Sequence, residues 1–437
     1  MARVTPTRPA RQRRWPLGPP ACRGLLLALA VQASWGAGGA WADEGDAPVP
    51  PPEPGQPAPD APAPEPLGWR VGALTLLPRV GLTEAYNDNI DYAESQRQGS
   101  RVRTWSPSLG LSLPHGDDRY ELALRGELTR YASVPANDVH NAEAVLDAVN
   151  LTGEHSAVAW RMAWQDAHED VGNSPLSELA STPNRFLARA LGAVWRLDSA
   201  DGEHRGEFEA TVSRKTYLNH RETARVGDVT TRAAVARYLC TVAPATRLLA
   251  ELRDVGARYS ARETALDNAD QRWLVGVQRE AGDDPQRQLT GGFKLGLQVK
   301  QFDRLRPTYE GLTWELGLQW RPRPATQWEL ASSRIASDAP GDGSNWLLAR
   351  NDTLAWTELW PHGLRSTLVV SNGRQRHVYP GAFARQDSVR GYDLGLRHEW
   401  TPHWQWGWTH SVADRRSAFE GFGFSRRVDA LVVEAAW

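Results

Sequence analysis

Charged and amide side chains recurring at every second position are the residues of this chain best placed to do chemistry, and they do it as a surface rather than as a catalytic constellation. Lys294, Gln298 and Lys300 alternate with Phe293, Leu295, Leu297 and Val299, and Glu315, Gln319 and Arg321 alternate with Trp314, Leu316, Leu318 and Trp320. Arg161 is set against Val158, Trp160, Met162 and Trp164; Asp393, Arg397 and Glu399 are set against Leu394, Leu396 and Trp400. Arg125, Glu127, Glu207, Glu209 and Lys215 belong to the same polar class. Side chains two apart on a strand share a face, so each stretch has one apolar side and one side carrying both charge signs. Such a mixed wall suits a wet passage and favours no small ion strongly.

Aromatic residues extend this wall. Tyr131, Tyr217, Tyr259 and Phe302 stand where alternating stretches give way to longer polar connections, and local parity puts Tyr131, Tyr217 and Phe302 on the polar face. One reading is a rim that guides a glycan, because ring faces pack on sugar C–H faces while hydroxyls exchange hydrogen bonds with charged and amide groups. The other is that bulges, which concentrate at barrel rims, reverse the parity and leave these rings as interfacial residues. Catalytic groupings are sparse. His410 and Ser411 are adjacent and so face opposite sides of a strand; no catalytic residue is assigned. Asn87-Asp88-Asn89 offers oxygen ligands for a cation, but an Asx-type turn accounts for it more simply; no metal or other cofactor is expected.

The elements that position these faces are strands. Beyond the N-terminal segment no run of about eighteen apolar residues exists to form a membrane helix. From Leu74 onward, tight turns at His115-Gly116-Asp117-Asp118, Gly153-Glu154, Ser199-Ala200-Asp201-Gly202, Ala243-Pro244-Ala245, Asp283-Asp284-Pro285, Arg321-Pro322-Arg323-Pro324, Pro361-His362-Gly363 and Thr401-Pro402-His403 alternate with longer polar connections. Among the longer ones are Asp166 to Pro183, Ser337 to Ser344, Arg376 to Gln386 and Arg415 to Phe424. Short turns on one side and long loops on the other are the pattern of an outer-membrane barrel. The fold class expected is therefore all-β: a transmembrane antiparallel outer-membrane β-barrel of about eighteen strands, standing in a lipid bilayer. That strand number leaves an aqueous interior, where about eight strands would be filled by side chains. An even count returns both ends to the periplasmic side. Tryptophans at 195, 320, 328, 360, 400 and 404 flank the short turns and are assigned to the headgroup zone there. A soluble β-sandwich is the rival fold, which the rhythm of connections disfavours.

The domain plan follows. Residues 1–42 read as a cleavable signal peptide, with a basic start, an apolar core from Gly24 to Val31 and the small-x-small triplet Ala40-Trp41-Ala42. Residues 43–67 are a proline-rich periplasmic segment, expected to be disordered and extended because proline lacks the amide donor a sheet requires. The barrel occupies 68–437. Its final strand has the outward set Leu431, Val433, Ala435 and Trp437, which resembles the signal read by the barrel-assembly machinery, with tryptophan in place of the usual phenylalanine. With a net charge of −2, nothing points to nucleic acid.

The stretch from Val80 to about Asn173, with Tyr86-Asn87-Asp88-Asn89-Ile90, Ser106-Pro107-Ser108-Leu109 and Arg130-Tyr131, resembles the beta-barrel porin 2 family found with exopolysaccharide gene clusters; the likeness continues more loosely to Trp437. Asn87 stands where that family commonly has aspartate, which weakens any metal role for the turn. What the resemblance implies is a non-enzymatic barrel for export of capsular or extracellular polysaccharide, serving as the exit for a periplasmic polysaccharide export protein. A general or solute-specific diffusion porin is the first alternative; it predicts a trimer and an inward loop with an acidic constriction, for which Asp166 to Pro183, with Glu169, Asp170 and Glu178, is the candidate. A structural or adhesive barrel with a filled interior is the second.

Overall fold

The computed structural model describes residues 68–437, apart from residues 175, 178, 179, 282–287, 304 and 305. The expected signal peptide, the proline-rich segment and the turn at Asp283-Asp284-Pro285 lie outside the described residues. A short strand β1 (Trp69–Val71) precedes β2 (Leu74–Asn87), β3 (Ser100–His115), β4 (Asp118–Tyr131), β5 (Val139–Gly153) and β6 (Ser156–Glu169). Then come β7 (Asn184–Asp198), β8 (His204–Tyr217), β9 (Val229–Ala243), β10 (Thr246–Tyr259), β11 (Asn268–Arg279) and β12 (Gln288–Phe302). The chain ends with β13 (Tyr309–Arg323), β14 (Thr326–Ser337), β15 (Trp346–Trp360), β16 (Leu364–Val378), β17 (Ala384–Thr401), β18 (Trp404–Ser417) and β19 (Phe424–Ala436).

Each strand from β2 to β19 pairs antiparallel with its neighbour in sequence, and β19 pairs back onto β2, from Val428 opposite Asn87 to Ala436 opposite Arg79. The result is a closed antiparallel barrel of 18 strands. β1 folds back on the first residues of β2, Trp69 opposite Leu76, beyond the point where β19 stops. Closure gives the backbone groups along the ring a partner on each side, which is what hydrocarbon demands of a spanning sheet. Barrel strands run from 12 to 18 residues, more than the nine to eleven or so needed to cross at a tilt.

Loops and turns alternate around the ring as the sequence suggests, but several loops are shorter than expected. β16 continues to Val378 and β17 begins at Ala384, with Arg376 opposite Gln386, so the connection there is 379–383. β6 likewise continues to Glu169. Polar side chains above the membrane still leave the backbone free to extend the ladder, so polarity marked the loop too early.

Register shifts lie beside short turns, at Leu151/Gly153, Thr246/Arg247, Trp320/Arg323 and Glu399/Thr401. Parity therefore runs uninterrupted to the loop ends of β4, β8, β10 and β12. Two glycines set the approach of β11 and β12: a Cβ on Gly296 would lie 1.8 Å from the Trp273 carbonyl oxygen, and one on Gly276 would lie 2.1 Å from that of Phe293. Only a residue without a side chain permits this contact.

Candidate functional site: the inner wall and its mouth

The register sorts every strand into two faces. One presents Leu191, Trp195, Leu252, Trp273, Val275, Leu297, Leu312, Leu354 and Leu431, all more than a third exposed, as apolar side chains facing lipid are. The other is the interior, because loop residues fold onto it: Asp338 places Oδ1 2.7 Å from Lys300 Nζ, and Asp342 bonds the His377 ring.

All fifteen residues named for the polar wall lie on this inner face, but they do not form one site. Arg125 bonds Glu143 (3.0 Å), Glu127 accepts from Thr129 (3.0 Å), and Arg161 lies 3.3 Å from Asp147, all on β4 to β6. Across β8 to β13 the wall condenses into a network around Arg237. Its guanidinium reaches Glu209 at 2.9 Å, Glu207 at 3.6 Å and Glu251 at 2.9 Å. Arg253 links Glu251 (2.9 Å) to Glu315 (3.5 Å), and Lys294 bonds both of these glutamates. Elsewhere Gln319 stands opposite Glu329, Arg321 donates to Gln327 (2.8 Å), Asp393 stands opposite Ser411, and Arg397 lies 3.7 Å from Glu434. Glu399 borders a recess near the short turns with Arg365, Arg397 and Gln405.

Toward the loop end the wall is packed. Gln298 donates to Asp270 (2.8 Å) and to the Ala336 carbonyl (2.8 Å), and accepts from the Ala336 amide (2.8 Å). Arg272 bonds Asp270 at 2.9 Å, and Gln298, Lys300 and Arg272 are at most 2 % exposed. Arg385 and Arg415 converge on Asp387 at 3.1 and 2.8 Å. In the connection after β6, Leu176 lies against two other connections: a Cβ on Gly227 or Gly341 would lie within 2.6 Å of its side chain. Glu178 lies outside the described residues. Asp170 sits here; burial opposes its charge, yet the hydrogen bond and charge of His168 and the charge of Arg426 hold its carboxyl below the ordinary range. Burial also opposes the Asp342 carboxylate, and bonds from His377 and Ser344 outweigh it, with the same downward result.

The four aromatics named for glycan contact all sit on the inner face, Tyr259 included, since it shares parity with Glu251 and Arg253. Their surroundings differ. Tyr217 is 2 % exposed, packed with Phe186, Ala188 and Ala224, with its hydroxyl on Glu169; Lys215 bonds the same carboxylate at 2.8 Å. Tyr259 is 5 % exposed, packed with Val229 and Leu266, and donates to Asp338 (2.8 Å). Buried faces are not open to a sugar, so in this structure stacking by Tyr217 and Tyr259 is replaced by a structural role: pinning loops to the wall. Tyr131 and Phe302 are half-buried. A further aromatic cluster at the mouth lies in stretches read from the sequence as loop: Tyr379, Phe383 and Phe419, with Phe383 and Phe419 stacked at 5.3 Å; Phe383 is 58 % exposed, and Tyr379 and Phe419 are half-buried.

On the lipid face, Trp195, Trp320, Trp360, Trp400 and Trp404 are exposed beside the short turns, while Trp328 packs near Trp356. Leu431, Val433 and Trp437 point outward as read from the sequence; Ala435, in the same row, is covered at 1 % opposite Trp404. Asn87 to Asn89 form the turn: Asn89 N donates to Asn87 Oδ1 (3.0 Å), and Asp88 accepts from the Arg427 amide (2.7 Å). Among the described residues no cluster of potential metal ligands occurs.

Arg237, Glu251 and Arg253, central to the network, were missed. In β9 small apolar residues occupy both faces around Arg237, and in β10 Leu248 and Leu249 do the same, so local alternation does not declare a side. Only pairing with Glu207 across β8 does.

A closed barrel with an apolar outside and a hydrogen-bonding, charged inside defines an outer-membrane porin-type protein. The chain belongs to the family described as Putative beta-barrel porin 2, whose model matches residues 61–436. Among solved structures, the Pseudomonas aeruginosa outer membrane protein OpdK is similar at 12 % identity over 83 % of this chain and 99 % of its own, with a TM-score of 0.49. Pseudomonas aeruginosa OpdO is similar at 15 % identity over 83 % of this chain and 97 % of its own, with a TM-score of 0.46. A bacterial polysaccharide outer membrane secretin aligns at 13 % identity over 82 % of this chain and 98 % of its own, with a TM-score of 0.36. A search of curated proteins found no match.

Proposed function

We propose that this barrel is an outer-membrane conduit for export of capsular or extracellular polysaccharide, working with a periplasmic polysaccharide export protein. The observation that carries this reading is the self-neutralised wall: Arg237 pairs with three glutamates, and Lys294 and Arg253 pair with Glu251 and Glu315, which leaves little net field along the passage. Lys294 and Glu315, 20 % and 24 % exposed, remain open to hydrogen bonds from a hydroxyl-rich chain, and a wall with little net field does not trap that chain as an ion, so it leaves as readily as it enters. Phe383, 58 % exposed beside Tyr379 and Phe419, supplies an open ring where a polymer would emerge. Under this reading residues 1–42 are removed on export, 43–67 lie on the partner's side, and the outward row of Leu431, Val433 and Trp437 is read by the barrel-assembly machinery. Deleting the gene should abolish surface polysaccharide while precursor accumulates in the periplasm; normal surface polymer would sink the proposal.

A diffusion porin is the second reading, favoured by the approach of Leu176 to Gly227 and Gly341 of two other connections. Removing residues 171–182 and recording planar-bilayer conductance separates the two. A porin eyelet predicts a large rise in small-ion conductance with surface polysaccharide untouched.

A further inference from the structure

The lipid-facing wall is asymmetric in a way that the channel does not require. Its outer face presents tryptophans at both ends, Trp195, Trp320 and Trp400 beside the short turns and, toward the loops, Trp164 and Trp314 directly opposite Arg189 and Arg334. Only the loop end adds arginines set opposite one another: Arg189 faces Arg214 across β7 and β8, and Arg258 of β10 lies two strands further on, opposite Thr230 of β9 as Arg214 is. A second row runs Arg334, Arg350, Arg374 across β14, β15 and β16. Outward parity is fixed by their neighbours, since Leu191, Val212, Leu252, Leu330, Leu354 and Val370 lie on the same faces and are exposed. The rows stand one to three outward positions from these residues toward the loops, with Leu187 and Leu348 one outward position further on.

Like charges directly opposite on adjacent strands repel. In the second row Arg350 bonds Asp352 (3.0 Å) and Arg334 donates to Tyr309 (3.3 Å). Among the described residues no carboxylate pairs with Arg189, Arg214, Arg258 or Arg374, all of which are exposed. An unbalanced guanidinium facing lipid is unfavourable toward the bilayer centre and tolerated near the headgroups, and it is best satisfied by phosphate, which its planar fork bonds through two oxygens.

We infer that the four arginines of these rows that no carboxylate pairs, Arg189, Arg214, Arg258 and Arg374, bind the phosphorylated headgroups of a glycolipid in the leaflet on the loop side, anchoring the barrel's depth and its mouth in that leaflet. The inference rests on the outer-membrane barrel alone, so it stands or falls independently of the cargo. The test uses the full barrel reconstituted in nanodiscs of zwitterionic lipid doped with diphosphorylated lipid A, with retained lipid counted by native mass spectrometry. Wild type should retain diphosphorylated lipid A about tenfold more strongly than its dephosphorylated form, a difference of about 1.4 kcal/mol. A variant carrying R189Q, R214Q, R258Q and R374Q should lose that preference, and the matching lysine variant should keep part of it. Inorganic phosphate added to lipid A-free discs should show no saturable binding; saturation there would mean a free-anion site and overturn the headgroup assignment. Equal retention of both lipid forms by wild type also overturns it, and this comparison needs no variant to fold.

Discussion

Replacing Arg237 by methionine should destabilise the folded barrel by about 3 kcal/mol, because a buried ion pair that loses one partner costs roughly 3–5 kcal/mol. The lower end applies, since Glu251 keeps Arg253 at 2.9 Å and Lys294 at 3.3 Å. The size of the loss depends on how dry the wall is. The Arg237 side chain is 10 % exposed, that of Glu209 is 6 % and that of Glu251 is 0 %, which places the charges behind one another and away from lumen water. A water-filled wall would screen the same contacts to about 0–1 kcal/mol. Urea unfolding in detergent micelles, followed by tryptophan emission and by heat-modifiable gel mobility, measures the difference. Glu209→Gln added to Arg237→Met should recover part of the loss by removing one uncompensated charge. A single-variant loss below about 1 kcal/mol would refute the dry network, and with it the view that the central wall is self-neutralised.

Gly296→Ala should prevent β11 and β12 from closing, with a cost of ~3 kcal/mol or more from overpacking, because its Cβ would meet the Trp273 carbonyl at 1.8 Å; Gly317→Ala, with nothing within 4 Å, should be neutral in the same mobility assay. Equal folded fractions would contradict the close approach. Brominated acyl chains should quench tryptophan emission strongly while aqueous iodide should not, and Trp400→Phe should reduce the quenchable signal, since Trp400 is 76 % exposed on the lipid face. The loop 338–345 should loosen in acid. Asp342 is held below its ordinary pKa of 3.8, so its contribution is complete above that value and is lost as pH falls through the depressed folded one. Amide exchange in this loop should rise below that range, and Asp342→Asn should show the raised exchange already at neutral pH; identical exchange in both proteins would remove the carboxylate from the loop's anchoring.

The barrel was readable because its determinants are local. Alternation in Leu312 to Arg321 and the spacing of turn residues fix face and connection strand by strand, and lipid on one side makes a one-residue slip intolerable. The same locality put Leu431, Val433 and Trp437 on the outside. What the inner wall does with its charges was decided only by closure. Glu207 and Glu251 are 44 positions apart by number and meet through Arg237 because β8, β9 and β10 lie side by side; β9, with small residues on both faces, carried no local sign of it. Tyr217 and Tyr259 show the same limit from the other direction. Parity can place a ring on a face, but whether that face is open depends on which loop folds over it, and Glu169 and Asp338 come from distant parts of the chain. Alternation is enforced by a bilayer that every strand meets, whereas the contents of the interior follow from contacts that exist only once the ring has closed.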